Sequence, residues 1–188
     1  MIAIVIVAVL VVALATFVWV TYNRMVAKRQ ATENSWAQID VSLSRRHDLI
    51  PVLVESVKGY ATHERTTFEA VTEARTEAIA AEGPPRRAAA EGALGRATDR
   101  VLAVAEAYPQ LEASTNFSQL QSDLRETEDQ IAITRRVYND TVETYNTLIQ
   151  QFPAVIIARV FGFTAREFFD APAEAEVAPQ VSLSPGPA

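Results

Sequence analysis

The first part of the chain is uniformly apolar, whereas most of the remainder mixes apolar and polar residues with helical spacing. Residues 2–21 carry no charge, and a helix of that length rises about 30 Å, the thickness of the hydrocarbon core of a bilayer. A cleaved signal peptide fits this stretch poorly, because no basic residue precedes it and the apolar run is long. The pattern therefore predicts an uncleaved transmembrane anchor over residues 1–23.

Aromatic and basic residues follow the apolar run and predict its orientation. Trp and Tyr rings favour the membrane–water interface, and Lys and Arg concentrate on the cytoplasmic side. Since basic residues occur only after the span, we expect the N-terminus outside and the rest of the chain in the cytoplasm. The residues predicted to lie at the interface are Trp19, Tyr22, Arg24, Lys28 and Arg29.

Beyond the anchor, apolar residues recur every three or four positions, which is typical of amphipathic helices. The clearest run repeats a large apolar residue at one heptad position, and this favours a long helix packed in a bundle. Polar residues at 114–116 predict its start and Pro153 its end, a span of about 36 residues or roughly 54 Å. The repeated residues are Phe117, Leu124, Ile131, Tyr138, Tyr145 and Phe152.

Proline and glycine divide the remaining sequence into shorter helices. The Gly-Pro-Pro sequence at 83–85 separates two of them, and short connections favour antiparallel neighbours. Pro51 predicts a kink or break in the first long helix, and Gly59 predicts the close approach of a neighbouring helix. We expect an all-α fold, in which the anchor precedes an up-and-down antiparallel bundle of about four long helices over residues 24–170.

The C-terminal part contains five of the eight phenylalanines between residues 152 and 169. Thr164 and Glu167 have the spacing of a capping box, which predicts a last short helix. The aromatic residues favour a lid that closes the end of the bundle, and the alternative is an exposed patch for a partner or the membrane. The candidate patch comprises Phe161, Phe163, Phe168 and Phe169. Residues 171–188 are rich in Pro and Ala, which predicts a disordered tail.

The amino-acid composition excludes several classes of functional site. The absence of cysteine excludes disulfides and thiolate metal sites, and a net charge of −6 argues against a nucleic-acid binder. Polar residues that interrupt the apolar stripes form a candidate core layer, which either fixes helix register or holds a carboxylate–histidine site. We favour the first interpretation and predict no enzyme, no cofactor, no metal and no small-molecule substrate. The layer comprises Arg46, His47, Glu128 and Arg135.

Three stretches, at 35–64, 103–117 and 138–153, resemble the signature regions of the LemA family of bacterial membrane proteins. The Phe-Gly-Phe and Glu-Phe-Phe sequences at 161–163 and 167–169 are similar too. The resemblance covers roughly residues 1–170, with Val52 as a departure from the family's usual Asn. It implies an N-terminal anchor, an antiparallel helical bundle, no established enzymatic activity, and a place in the bacterial inner (cytoplasmic) membrane; one branch is linked to magnetosome membranes.

Three functional hypotheses follow. The first is a cytoplasm-facing, single-pass membrane scaffold or adaptor that acts through protein–protein interaction, with the lipid bilayer and another membrane protein or itself as partners. Its mechanism would be recruitment by effective concentration. The alternative is a homo-oligomer that organises or shapes membrane. A remote third is a metal-dependent enzyme that uses the polar layer of the bundle.

Overall fold

The computed structural model describes residues 1–169, in which all regular secondary structure is helical. The helices are α1 (Ile2–Lys58), α2 (Arg65–Ala80), α3 (Pro84–Glu106), α4 (Pro109–Glu112), α5 (Thr115–Gln150) and α6 (Ala154–Val160). This confirms the all-α prediction for the described part of the chain, and the 36 residues of α5 match the length expected from the heptad pattern. The predicted tail at 171–188 lies outside the described residues.

Helix α1 carries both the apolar N-terminal stretch and the first helix of the bundle, in 57 uninterrupted residues. Within residues 1–169 it is the one helix long and apolar enough to cross a membrane, and none of its apolar window is buried in the protein. Burial begins at Thr21 and Met25, and from there one face of α1 is covered. The apolar stretch therefore leads into the bundle without an intervening loop.

Pro51 lies inside α1, and the helix continues through it without the break that the sequence favours. Proline has no amide to donate to the carbonyl four residues earlier, which belongs to His47. Nε of Arg75, on α2, donates a hydrogen bond to that carbonyl oxygen at 2.7 Å. A side chain from the neighbouring helix thus replaces the missing helical bond.

Gly59 ends α1, and this corrects the expectation of a close helix contact there. It has ordinary right-handed backbone angles (φ −62°), and a Cβ built on it would meet nothing within 4 Å. The turn between α2 and α3 is where glycine is required, since Gly83 has φ of +80°. Pro84 follows at the first position of α3, where its fixed φ suits a helix start.

The core forms three clusters along the antiparallel pair α1 and α5. The membrane-distal cluster joins the end of α1 to α2, α3, α4 and the start of α5. The middle cluster places Ile39 and Leu43 against Tyr138 and Val142. The membrane-proximal cluster packs Met25 with the end of α5 and with α6. The distal end contains four long helices (α1, α2, α3 and α5) and the short α4, whereas α1, α5 and α6 make up the proximal end.

Residues 164–169 are not helical, so the helix predicted from the Thr164 and Glu167 spacing is wrong. The last helix is α6, which precedes this segment. We call residues 164–169 the strap, because their backbone groups bond to α5 side chains instead of to one another. Tyr145 Oη donates to the carbonyl of Thr164 (3.0 Å), and Tyr138 Oη donates to that of Glu167 (2.9 Å). Tertiary hydrogen bonds therefore override the local capping signal.

Candidate functional site

A buried cluster of charged residues connects three helices in the membrane-distal half of the bundle. Arg46 and His47 are consecutive residues of α1, and both side chains reach Glu91 of α3. Arg46 Nη1 lies 3.1 Å from Glu91 Oε2, and His47 Nε2 lies 2.7 Å from Glu91 Oε1. Arg46 Nη2 also lies 2.8 Å from Oε1 of Glu128 on α5. We call these four residues the charged cluster; one guanidinium in it links α1, α3 and α5.

A glycine makes room for this guanidinium. Gly95 lies one helical turn after Glu91 on α3, and a Cβ at Gly95 would come within 2.8 Å of Arg46 Nη2. Glycine costs a helix interior about 1 kcal/mol relative to alanine, so it weakens α3 locally while admitting the arginine. Nε of Arg46 is buried and has no hydrogen-bond partner. The cluster is therefore tightly packed around a cation whose bonding is incomplete.

The charges in the cluster are unevenly buried. Arg46, His47 and Glu91 are each about 5% exposed or less, whereas the Glu128 side chain is about half exposed. Burial raises the pKa of Glu128, and the attraction of Arg46 opposes that rise. The nearby carboxylates of Glu91, Asp99 and Asp129 raise the pKa of Glu128 further.

Sequence reasoning identified the α1 part of the cluster but not its centre. Arg46 and His47 lie in the core, and Glu128 lies at its edge. Arg135 is exposed and belongs to no polar layer, so its placement there was wrong. Glu91 was missed, although it lies three residues before the buried Leu94 on the same face of α3. The three-residue spacing between Glu91 and Leu94 could have placed Glu91 in the core. The Ala- and Arg-rich composition of α3 obscured this spacing.

The polar groups of the charged cluster bond to one another, which is typical of a structural role. Its histidine and its buried carboxylate already bond to each other, and the guanidinium supplies a positive charge beside them. Across residues 1–169, no group of three His, Asp or Glu side chains is arranged so that it could hold a metal ion. The geometry therefore fixes the register of α1 against α3 and α5.

Aromatic rings gather where the apolar stretch of α1 enters the bundle. Tyr22 makes edge-on contacts with Phe161 (centroids 5.0 Å apart) and Phe163 (5.6 Å). The guanidinium carbon of Arg29 lies 5.5 Å from the centre of the Phe163 ring, in a cation–π contact. We call Tyr22, Phe161 and Phe163 the aromatic collar. Trp19 is exposed, as are Arg24 and Arg29, whereas Lys28 is partly buried.

The four phenylalanines predicted as one patch occupy different environments. Phe161 is half exposed and Phe163 is partly buried, both in the aromatic collar. Phe169 is only 3% exposed, and its ring packs near Trp36 and Tyr138. Phe168, its neighbour, is 39% exposed. A continuous patch is therefore not formed, because the strap turns Phe169 into the middle of the core.

Two asparagines hold the strap by its backbone. Asn146 accepts from the amide of Arg166 (2.8 Å) and donates to its carbonyl (2.9 Å). Asn139 does the same with Phe169, at 2.9 and 3.3 Å. Each asparagine follows a tyrosine that also bonds the strap, so a Tyr-Asn pair recurs after seven residues of α5. Arg166 adds an ion pair to Glu33 of α1 at 2.8 Å.

The family profile that matches this chain, that of the LemA family, covers residues 35–183. The chain belongs to the LemA family. The match begins within α1, so it covers less of the N-terminus than the resemblance from residue 1 suggested. The signature stretches at 35–64 and 138–153 supply the charged cluster's α1 residues and the Tyr-Asn pairs.

Curated relatives of this LemA family chain include three magnetosome proteins. Magnetosome proteins MamQ 1 and MamQ 2 of Paramagnetospirillum magneticum are each 28% identical to it, over 85% of this chain and 68% of the relative. Magnetosome protein MamQ of Magnetospirillum gryphiswaldense is 26% identical, over 84% of this chain and 68% of the relative. The chain is thus a membrane-associated helical protein distantly related to MamQ.

Proposed function

We propose that this protein is a single-pass, membrane-anchored scaffold or adaptor that acts through protein–protein interaction and performs no catalysis. The observation that carries the proposal is the continuity of α1, which runs from the apolar stretch to the distal core as one helix. Residues 21–58 of that helix span about 55 Å. A partner bound to the bundle would therefore be held at a defined height above the bilayer.

The continuous helix α1 connects the bundle rigidly to the span, unlike a flexible linker between a membrane anchor and a domain. A flexible linker raises the effective concentration of a bound partner but leaves its orientation free. Here Thr21 and Met25 are already buried, and α6 packs against α1 at the same level. The height of the bundle and its orientation relative to the α1 span are then set by the fold, which suits a protein that positions another one at a membrane.

We place the bundle in the cytoplasm and the N-terminus outside, in the bacterial inner membrane. The support is the position of Arg24, Lys28 and Arg29 directly after the span. Protease treatment of intact spheroplasts should leave a C-terminal tag undigested. Digestion of the tag without lysis would contradict this orientation.

Crosslinking in intact membranes tests the scaffold proposal. The full chain carries a C-terminal tag, and copurified proteins are identified by mass spectrometry. We expect a stoichiometric second membrane protein. Its recovery should fall when seven Gly and Ser residues are inserted after Asn23, and fall less when seven alanines are inserted there, since alanines preserve the helix and its phase and change only the height, by about 10 Å. Equal recovery from both insertions would contradict rigid presentation, and the absence of any crosslinked partner would contradict the adaptor.

Self-assembly that organises membrane is the second candidate, and exposed apolar side chains on the bundle favour it. Val41 of α1 is 72% exposed, and Ile133 and Val137 of α5 are 55% and 43% exposed. Such residues lie at homotypic interfaces in many oligomers. In the same crosslinking experiment, adducts between copies of this chain alone would select this candidate. A monomer that leaves liposome shape unchanged would refute it.

A metal-dependent enzyme is the remote candidate, and it would use the charged cluster. One observation argues against a metal at this cluster: the Arg46 guanidinium already supplies the positive charge beside Glu91. Metal analysis of the purified full-length protein decides between a metal-dependent enzyme and a non-catalytic protein. Stoichiometric zinc, manganese or iron that Glu91→Gln removes would overturn the non-catalytic proposal.

A further inference from the structure

Helix α6 has two apolar faces, and the protein covers only one of them. The inner face, with Ala154, Ile157 and Ala158, is buried in the membrane-proximal core cluster. On the outer face, Ile156 is 55% exposed and Val160 is 74% exposed. A helix on the surface of a soluble protein normally places polar residues on its outer side. The outer face of α6 is suited to an apolar environment.

The exposed apolar surface extends beyond both ends of α6. Phe152, four residues before Ile156, is 82% exposed, and Phe161 next to Val160 is 52% exposed. Residues spaced by four lie on one side of a helix, so Ile156 and Val160 point the same way. Arg159 is the only charged residue of α6. We call Phe152, Ile156, Val160 and Phe161 the outer apolar face.

Two contacts place this face at the level where α1 enters the membrane. Phe161 packs edge-on against Tyr22, which follows the apolar stretch. Phe161 also lines an open apolar groove of about 530 Å³ with residues of that stretch, among them Leu14 and Val18. The outer apolar face is therefore continuous with the surface of the predicted transmembrane segment.

The register of α5 against α1 gives the same level independently. Ser35 Oγ and Thr141 Oγ1 lie 2.8 Å apart, so these residues face each other across the antiparallel pair. Gln150, the last residue of α5, lies nine residues beyond Thr141, about 14 Å closer to the membrane at 1.5 Å per residue, and Phe152 follows it by two residues. The same rise along α1 from Ser35 leads to Val26, five residues after the apolar stretch.

We infer that α6 is a second membrane-contacting element, an interfacial helix whose outer apolar face enters the bilayer beside the α1 span. This inference rests on the proposed anchoring by α1. Helices of this kind place their apolar side about 5–10 Å into the boundary of headgroups and acyl chains. Arg159 would lie at the depth of the lipid phosphates, together with Arg24 and Arg29 of α1. The bilayer is favoured over a protein partner because the face adjoins the span itself.

Contact at two points would orient the bundle. A single transmembrane helix can rotate about its own axis and tilt, whereas a helix and an interfacial element together restrict both motions. The membrane-proximal core joins α1, α5 and α6, so the restriction would pass to the whole bundle. Bilayer contact at α6 would thus add orientation to the height that α1 provides.

Site-specific labelling of the full chain tests the inference, and the absence of native cysteine makes it direct. Ile156→Cys and Val160→Cys variants carry a polarity-sensitive fluorophore in liposomes that contain nitroxide lipids. Ile133→Cys is the matched control, since Ile133 and Ile156 are both 55% exposed and Ile133 lies midway along α5. We expect blue-shifted emission at 156 and 160, with lipid quenching at least about twofold above that at 133.

A label at Val12→Cys separates failure of the inference from failure of the anchor. Strong quenching at 12 with control-level quenching at 156 and 160 would overturn the role of α6 and leave the anchor standing. Weak quenching at all positions would overturn both. Blue-shifted emission at 156 without lipid quenching would show that protein covers the face, which also contradicts the inference. A Val160→Asp substitution should reduce quenching of the 156 label and leave that of the 12 label unchanged.

Discussion

The two ends of the bundle hold the same pair of long helices, α1 and α5, by different interactions. At the distal side, buried charges connect α1 to α3 and α5 through Arg46 and Glu91. At the proximal side, aromatic rings and asparagine amides connect them to α6 and the strap. Removing one partner of a buried ion pair leaves a buried charge uncompensated, whereas removing a ring or an amide leaves no such charge. The distal end is thus the more sensitive of the two to a single substitution.

The largest effect should come from breaking the charged cluster. Glu91→Ala would remove the buried carboxylate that bonds both Arg46 and His47 and leave Arg46 only the half-exposed Glu128, and we expect a loss of about 4 kcal/mol in the free energy of unfolding. Chemical denaturation of the full-length protein in detergent micelles measures it. The matched control is Glu126→Ala, which removes an exposed ion pair with Arg45 and should cost less than about 1 kcal/mol. Similar losses in the two variants would contradict the distinction between buried and exposed pairs.

The next largest effect should come from the strap. Phe169→Ala removes a ring that is 3% exposed, and we expect a loss of about 3 kcal/mol from the cavity it leaves. Phe168→Ala, at the exposed neighbour, should cost less than about 1 kcal/mol. Denaturation of both variants under the same conditions gives the comparison. A greater loss from Phe168→Ala would mean that the strap is held in another register.

A smaller effect should come from the bond that compensates for Pro51. Arg75→Ala leaves the carbonyl of His47 without a donor, at an expected cost of about 1–2 kcal/mol. In a Pro51→Ala background the helical amide returns, so the same substitution should cost less. The four unfolding free energies form a double-mutant cycle. A cost of Arg75→Ala that does not depend on residue 51 would show that the two features are unrelated.

The smallest effect should be the contribution of Glu128 to the pH dependence of the free energy of unfolding. Because burial raises its pKa in the folded protein, the folded state binds more protons than the unfolded state between the two pKa values. The contribution of Glu128 to stability is therefore smallest above its folded pKa, and stability falls as the pH rises from about 4.5, the ordinary pKa of glutamate, through the folded pKa. Glu128→Gln should remove this part of the slope. An identical slope in the variant would contradict the assignment, and Glu126→Gln is the exposed control.

The long elements could be predicted from sequence because their signal is repeated many times. Six apolar residues at heptad spacing predicted α5; five of them are buried on its 36 residues, whereas Phe152 lies just beyond its end and is 82% exposed. Signals carried by one or two residues failed where a tertiary contact competed with them. The capping box at Thr164 was overridden by the Tyr-Asn pairs of α5, and the break at Pro51 was compensated by Arg75.

The charged cluster was partly predictable for the same reason. Arg46 and His47 interrupt a strong stripe on α1, so their phase placed them in the core. Arg135 shares the heptad phase of a polar layer only approximately, and on α5 it is exposed. Glu91 and Gly95 of α3 act together on Arg46 of α1, since one supplies the carboxylate and the other the space for the guanidinium. Such a pairing depends on the register of α1 against α3, which neither segment specifies alone.

The central claim is that α1 is one rigid helix from the membrane to the bundle, and a distance within it tests this most directly. Val12→Cys and Val41→Cys, at residues 65% and 72% exposed, place spin labels on either side of the membrane boundary. In liposomes, double electron–electron resonance should give one narrow distribution, for backbone positions about 44 Å apart. A broad distribution, or a maximum well below that distance, would show a hinge between span and bundle and contradict the account.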